Sequence, residues 1–137
     1  MKTNELMVGD WVLISVWDCN PFPSKVTSIN YNSYQGKDFV DWIDTEYEED
    51  IEMYAVQPIP LTPEILEKNG FLVGYKQGSI TYYHIGWDFY LDLDGGEILL
   101  KIRRDCDFTF FGIISCKYVH ELQHALRLCG IDKEIVL

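Results

Sequence analysis

The feature that most constrains the fold is the alternation of apolar with mostly polar side chains on both sides of the turn sequence at residues 94–97. A period of two places successive side chains on opposite faces of a β-strand, and Gly95-Gly96 suits the two-residue loop of a tight hairpin. The sequence therefore predicts a β-hairpin with one apolar face. The expected pairs on that face are Phe89 with Ile102, Leu91 with Leu100, and Leu93 with Ile98.

The opposite face of this hairpin should be partly complementary in charge. The same register places Asp88 opposite Arg103 and Tyr90 opposite Lys101. A slip of one residue would move every apolar side chain to the other face, so the pairing should be unique. Further strands are expected at 71–76, 79–85 and 108–114, followed by a helix at 118–129 that Gly130 ends.

The first sixty residues read as short strands separated by turn residues. We expect strands at 11–16, 25–29 and 38–43, a polar turn at 30–37, and an edge or closing strand at 56–61 that contains Pro58 and Pro60. In the third strand, alternation places Phe39 and Ile43 on one face and Val40 and Trp42 on the other. The Gly-Asp-Trp-Val opening at 9–12 resembles the start of an SH3-like barrel.

A short helix connects the two halves. Thr62 suits the N-cap, Pro63 the first helical position, and Asn69-Gly70 the end. These elements predict an α+β protein. Residues 1–60 are expected to form an SH3-like strand-rich lobe with a small β-barrel, and residues 61–137 an antiparallel sheet with one C-terminal helix packed on it.

The charge balance restricts the partners. Asp and Glu outnumber Lys and Arg by 22 to 11, which gives a formal net charge of −11. Attraction to nucleic-acid phosphates or anionic lipids needs clustered basic residues, so we expect neither nucleic acid nor membrane as partner and instead a neutral or basic protein.

No signal-peptide pattern or apolar span of ~18–20 residues is present, which favours a cytoplasmic protein with reduced cysteines. No cofactor is expected, and the oligomeric state stays open.

One segment matches a catalytic signature. His120-Glu121-Leu122-Gln123-His124 has the His-Glu-x-x-His spacing in which two imidazoles bind zinc and the glutamate activates a metal-bound water. The extended pattern of one zinc-peptidase class would require glycine and histidine where this chain has Arg127 and Gly130. On a helical wheel, His120, Gln123, His124 and Arg127 lie opposite the apolar arc. We therefore expect both imidazoles to face water.

The strongest charge cluster lies between residues 44 and 52, where six of nine residues are acidic. The first half also carries more aromatic residues than a core of sixty residues can readily bury, so some should be exposed and available for recognition. We expect a binding surface here that is acidic and aromatic. Its candidate residues are Trp42, Glu46, Tyr47, Glu48, Glu49 and Asp50.

Three blocks of sequence carry a family resemblance: KTNELMVGDWV at 2–12, PIPLTPEILEKNGF at 58–71 and KYVHELQH at 117–124. Together they resemble a family of small uncharacterised proteins from gut Bacteroides and their mobile or phage elements. The resemblance implies a cytoplasmic protein without an assigned activity. It also implies Gln and Asn where this chain has Glu121 and His124, a departure that weighs against zinc catalysis.

Three functions are compatible with these features. The leading hypothesis is a nonenzymatic protein-binding or adaptor module with an acidic, aromatic surface, without catalytic residues or a metal. The first alternative is a zinc-dependent hydrolase in which His120 and His124 bind the metal and Glu121 is catalytic. The second is an acidic inhibitor, of phage or mobile-element origin, that imitates nucleic acid.

Overall fold

The computed structural model describes residues 5–17, 19–78, 80–85, 89–94, 97–103 and 110–137. The chain divides into two compact units, Met1–Ile59 and Pro60–Leu137. Each unit contains one five-stranded sheet whose neighbouring strands are antiparallel. With a main helix close to the C-terminal end, this confirms the α+β class.

The N-terminal unit has the strand order β4-β3-β2-β1-β5. The last strand lies at the edge of the sheet beside β1, as its prolines predict, because an edge position does not require every N–H to donate. The elements are β1 (Trp11–Ile14), β2 (Phe22–Tyr34), β3 (Lys37–Thr45), β4 (Ile51–Glu52), a 3₁₀ turn (Met53–Ala55) and β5 (Val56–Pro58).

The core of this unit consists of buried aliphatic side chains contributed by every strand. Ile14 and Ile43 are fully buried, and partly buried neighbours such as Phe22 and Met53 pack around the cluster. Burial of such side chains is the main source of stability in a unit of this size. The buried members are Leu6, Val12, Ile14, Val26, Val40, Ile43, Ile51 and Val56.

The predicted alternation in the third strand is wrong. Val40 and Ile43 are both buried, whereas Trp42 is 38% exposed. The cause is a β-bulge, because Asn30 pairs with Trp42 but Tyr31 pairs with Val40, which leaves Asp41 as the extra residue. A bulge inserts one residue and reverses which positions face the core.

The predicted polar turn at 30–37 is also shorter than expected. β2 continues to Tyr34 and β3 begins at Lys37, so only Gln35 and Gly36 form the turn. Both have positive φ, 52° and 73°, as a two-residue hairpin loop with the twist of the flanking strands requires. Every side chain from residue 31 to 38 is exposed. We call this two-stranded extension, residues 31–38, the hairpin arm.

The C-terminal unit begins with the predicted short helix, α1 (Pro63–Lys68). Thr62 caps it by accepting a hydrogen bond from the Ile65 N–H at 3.4 Å. At the other end Gly70 has φ of 79°, and the Phe71 N–H donates to the Leu66 carbonyl at 3.0 Å. This Schellman closure places Phe71, 2% exposed, back against the helix end.

The sheet of this unit is a meander in the order β10-β9-β8-β7-β6. The register of the β8–β9 hairpin confirms the prediction at Phe89–Ile102, Leu91–Leu100, Leu93–Ile98 and Tyr90–Lys101. The predicted Gly95-Gly96 loop and the Asp88–Arg103 pair involve residues outside those described. The strands are β6 (Leu72–Gln77), β7 (Ile80–Ile85), β8 (Phe89–Asp94), β9 (Glu97–Arg103) and β10 (Phe110–Cys116).

The predicted C-terminal helix is α2 (Val119–Leu128). Four members of the apolar arc expected on this helix are buried, Val119, Leu122, Ala125 and Leu126, whereas its end members Tyr118 and Cys129 are half-buried and the apolar Leu128, outside the arc, is exposed. No helix among the described residues combines the length and apolar character needed to cross a bilayer.

The segment after α2 is tied to α1 by one side chain. The Asn69 side-chain amide donates to the carbonyls of Ile65 and Val136, both at 2.8 Å, and its oxygen accepts from the Val136 N–H at 2.7 Å. Asn69 is only 6% exposed, and the neighbouring Ile135 is 1% exposed. We call this arrangement the Asn69 clamp, because it pairs with the main chain of Val136 as a neighbouring strand would.

Candidate functional site

The acidic segment forms the connection between β3 and β4 and is held in a defined shape. The Thr45 hydroxyl accepts hydrogen bonds from the N–H groups of Tyr47 at 3.4 Å and Glu48 at 3.2 Å. The Asp44 carboxylate accepts from the Asp50 N–H at 2.9 Å. The short polar side chains of Asp44 and Thr45, at the start of the segment, thus form local turns with the residues that follow. The intervening carboxylates are presented on a structured loop.

This loop forms one wall of a cleft of about 330 Å³. The other walls come from the residues that follow β1 and from the 3₁₀ turn before β5. Trp17 and Tyr54, at 86% and 84% exposed, both line this cleft. Its lining residues are Ser15, Val16, Trp17, Glu48, Glu49, Asp50, Ile51, Glu52, Tyr54 and Ala55. We call it the aromatic–acidic cleft.

Two residues in the walls of the cleft have left-handed backbone conformations. Trp17 has φ of 58° and Asp50 has φ of 53°. This region is uncommon for residues other than glycine, and a bulky side chain there is strained. The left-handed backbone at Trp17 therefore costs free energy. Burial of the indole does not offset this cost, because the side chain is exposed.

The predicted surface residues divide between the cleft and its surroundings. Glu48, Glu49 and Asp50 line the cleft. Glu46 and Tyr47 instead line an adjoining depression of about 320 Å³ that shares Glu48 and Glu49 with it. The Tyr47 ring is 71% exposed and meets the edge of Phe22 at a centroid distance of 5.8 Å.

Trp42 lies on β3, with Glu52 as its register partner on β4, and is not among the residues that line either depression. In contrast, the predicted set omits Trp17, Tyr54 and Glu52, which do line the cleft. The excess of aromatic residues signalled that some of these rings would be exposed. Which of the aromatic side chains line the same cleft depends on the three-dimensional fold.

The prediction that both imidazoles face water is wrong for His120. This residue is 1% exposed, and Gln123 on the same predicted polar arc is 5% exposed, whereas His124 is half-buried. The His120 ring stacks on Tyr118 with an interplanar angle of 9° and meets His124 edge-on, both at centroid distances of 5.8 Å. A helical wheel ranks residues by polarity alone, and it misses an imidazole that aromatic neighbours cover.

Glu121 serves the start of its own helix. Its Oε2 accepts hydrogen bonds from the N–H groups of Lys117 at 2.5 Å and Tyr118 at 3.1 Å. A glutamate at the third helical position that bonds back to the N-cap backbone is the acidic half of a capping box. The carboxylate that a zinc hydrolase would use as its base is therefore engaged with the main chain.

Substituting Glu121 tests this capping role. Glu121→Ala should lower the free energy of unfolding by about 1 kcal/mol, because two N–H groups at the helix start lose their acceptor. Glu121→Gln retains an acceptor oxygen and should lose less than half as much. Urea denaturation followed by circular dichroism measures both. Equal losses in the two variants would contradict the capping role.

The surroundings of the histidines supply no further ligand within the described part of the chain. There, no group of three or more His, Cys, Asp or Glu side chains converges as a metal site would. Burial, and secondarily the charge of Glu121, raises the pKa of the Cys116 thiol to about 12. A thiol with this pKa stays protonated at neutral pH.

Comparison of the chain with protein-family models, with curated proteins and with solved structures gives no match. The function is therefore inferred from the site itself.

Proposed function

We propose that the protein is a nonenzymatic protein-binding or adaptor module whose N-terminal unit presents an acidic, aromatic surface to a basic partner protein. The observation that carries this proposal is the aromatic–acidic cleft, in which two almost fully exposed rings accompany four carboxylates. Exposed Trp and Tyr side chains are enriched among the residues that contribute most to protein interfaces. Contact of these rings with water is unfavourable in the free domain, and a partner that covers the rings removes it.

Electrostatics supports a basic partner. Residues 1–59 contain eleven acidic residues and three lysines, which amounts to −8 of the total formal charge of −11. A concentration of one sign of charge steers an oppositely charged partner toward the surface and raises the association rate. This steering weakens with ionic strength, so association should slow as salt is added.

We infer that the N-terminal unit is an SH3-like module. Its strand order, with β1 between the long β2 and the last strand, supports this inference, as does the 3₁₀ turn before β5. Small barrels of this type carry many unrelated functions, so the scaffold alone does not define the ligand. The scaffold places the residues that follow β1, the β3–β4 loop and the 3₁₀ turn before β5 around one cleft.

Neutralising the cleft tests the proposal. The cleft variant combines Glu48→Gln, Glu49→Gln, Asp50→Asn and Glu52→Gln, and Asn tolerates the left-handed backbone at position 50. We expect it to bind at least tenfold more weakly to a basic protein that the wild type captures from its host and that is then purified. Isothermal titration calorimetry measures the affinity.

A matched control separates the cleft from net charge. Glu5→Gln, Asp38→Asn, Glu67→Gln and Asp132→Asn remove the same number of charges at exposed positions outside the cleft. This control variant should bind within about threefold of the wild type. Equal weakening in both variants would show that overall charge, rather than the cleft, attracts the partner, and would overturn the proposal.

A further inference from the structure

We infer that the aromatic–acidic cleft is a receptor for the guanidinium group of one arginine side chain in an exposed segment of the partner. This inference rests on the proposed function. It narrows the feature recognised on the partner from a basic surface to one chemical group. It is carried by the aromatic rings and the shape of the cleft, while the carboxylates determine the sign of the ligand's charge.

The two rings provide flat surfaces for a planar cation. Trp17 and Tyr54 have the largest exposed fractions among the large apolar and aromatic side chains of the described residues, and both line the same concavity. A cation over the face of Trp or Tyr is attracted by the ring quadrupole. The unit already contains such a contact, since Lys25 Nζ lies 5.2 Å from the centroid of the Trp11 ring.

The carboxylates make the cleft complementary to a positive charge. Glu48, Glu49, Asp50 and Glu52 line it, and Lys, Arg and His are absent from its described lining residues. A ligand of opposite charge would therefore meet carboxylates from the loop and the aromatic side chains of Trp17 and Tyr54 from the other walls. A neutral side chain would lose the charge attraction to the carboxylates, and an acidic side chain would be repelled by them.

Arginine fits this combination better than lysine. The guanidinium is planar, is less strongly hydrated than an ammonium, and has five N–H donors that can bind carboxylates in pairs while its face stacks on a ring. The ammonium of lysine is a strongly hydrated point charge. The cleft volume of about 330 Å³ lies at the lower end of the range of ~300–1,000 Å³ for small-ligand sites, which suits one long side chain.

Three peptides test the inference directly. Each is a blocked nonapeptide of glycine and serine with arginine, lysine or citrulline at its centre, citrulline being the neutral isostere of arginine. The readout is the ¹⁵N–¹H NMR spectrum of the full chain at low salt, in particular the Trp17 indole signal and the backbone signals of Glu49 and Asp50. We expect saturable shifts with the arginine peptide, at least fivefold weaker binding of the lysine peptide, and none with citrulline.

Variants of the walls complete the test. Trp17→Asn removes the ring while keeping a residue that tolerates positive φ, and it should weaken arginine binding at least fivefold, followed through the Glu49 and Asp50 signals. Tyr34→Ala removes another exposed ring, 69% accessible, from the hairpin arm and should leave binding unchanged. Loss of binding in Tyr34→Ala, or its retention in Trp17→Asn, would overturn the inference.

The outcomes separate this inference from the proposed function. Equal binding of the arginine and lysine peptides, or binding of citrulline, overturns the arginine receptor, but the proposed function then still stands on the capture experiment. Absence of shifts with all three peptides also overturns the receptor. If the cleft variant retains its captured partner, the proposed function fails whatever the peptides do.

Discussion

Asn69→Asp should lower the free energy of unfolding by about 3 kcal/mol at pH 7. The substitution keeps the size of the side chain and its acceptor for the Val136 N–H, but it replaces the amide donor with a carboxylate oxygen. That oxygen would face the carbonyls of Ile65 and Val136 at hydrogen-bond distance. A buried charge against two acceptors costs more than a lost neutral hydrogen bond.

Two controls identify the clamp as the cause. Asn69→Ala removes all three hydrogen bonds without adding charge and should cost about 2 kcal/mol. Lys68→Ala removes only the exposed bond from Lys68 Nζ to the Leu137 main-chain oxygen at 2.6 Å, and should change stability by less than about 0.5 kcal/mol. Urea denaturation gives the three values. If Asn69→Asp is no less stable than Asn69→Ala, the two carbonyls do not face this side chain.

Native Cys116 should react with iodoacetamide at least a thousandfold more slowly than exposed Cys19 at pH 8. An ordinary thiol with a pKa near ~8.5 is roughly a quarter ionised at this pH. With the pKa of Cys116 raised to about 12, roughly one thiol in ten thousand is ionised. Burial also blocks the reagent, because Cys116 is 0% exposed. Pulse labelling, proteolysis and mass spectrometry measure both rates in the same sample.

The same shift in pKa makes stability depend on pH. The folded protein holds the Cys116 proton more tightly than the unfolded chain, so this contribution to stability is fully present below the unfolded pKa. It is lost as pH rises from about 9 toward 12. Cys116→Ala should show a smaller decline in stability over this range than the wild type. Equal declines, or labelling of native Cys116 as fast as Cys19, would contradict the pKa shift.

The elements predicted from sequence are those whose signals are local. The β8–β9 register follows from the alternation of apolar residues on both sides of two glycines, and the bounds of α1 follow from Thr62 at one end and Asn69-Gly70 at the other. Each of these signals comes from the intrinsic geometry of a few consecutive residues. Tertiary contacts then reinforce the local preference and do not reverse it.

The errors occur where a neighbouring segment decides the outcome. Asp41 becomes the extra residue of a bulge only because of how β2 pairs with β3. His120 is buried and its ring contacts those of Tyr118 and His124, which the polarity of an imidazole does not indicate. The cleft combines residues from three connections, so the aromatic excess could indicate exposed rings but could not identify Trp17 and Tyr54 as neighbours.

The hairpin arm has a practical consequence. Its tip, Gln35-Gly36, is exposed, and among the described residues no atom beyond the chain neighbours of Gly36 lies within 4 Å of a Cβ placed there. Exposed hairpin tips tolerate inserted sequence because the flanking strands need only be rejoined at their ends. A short epitope or a dye-labelled cysteine spliced between Gln35 and Gly36 would therefore report on the N-terminal unit while leaving the acidic loop and its neighbours untouched.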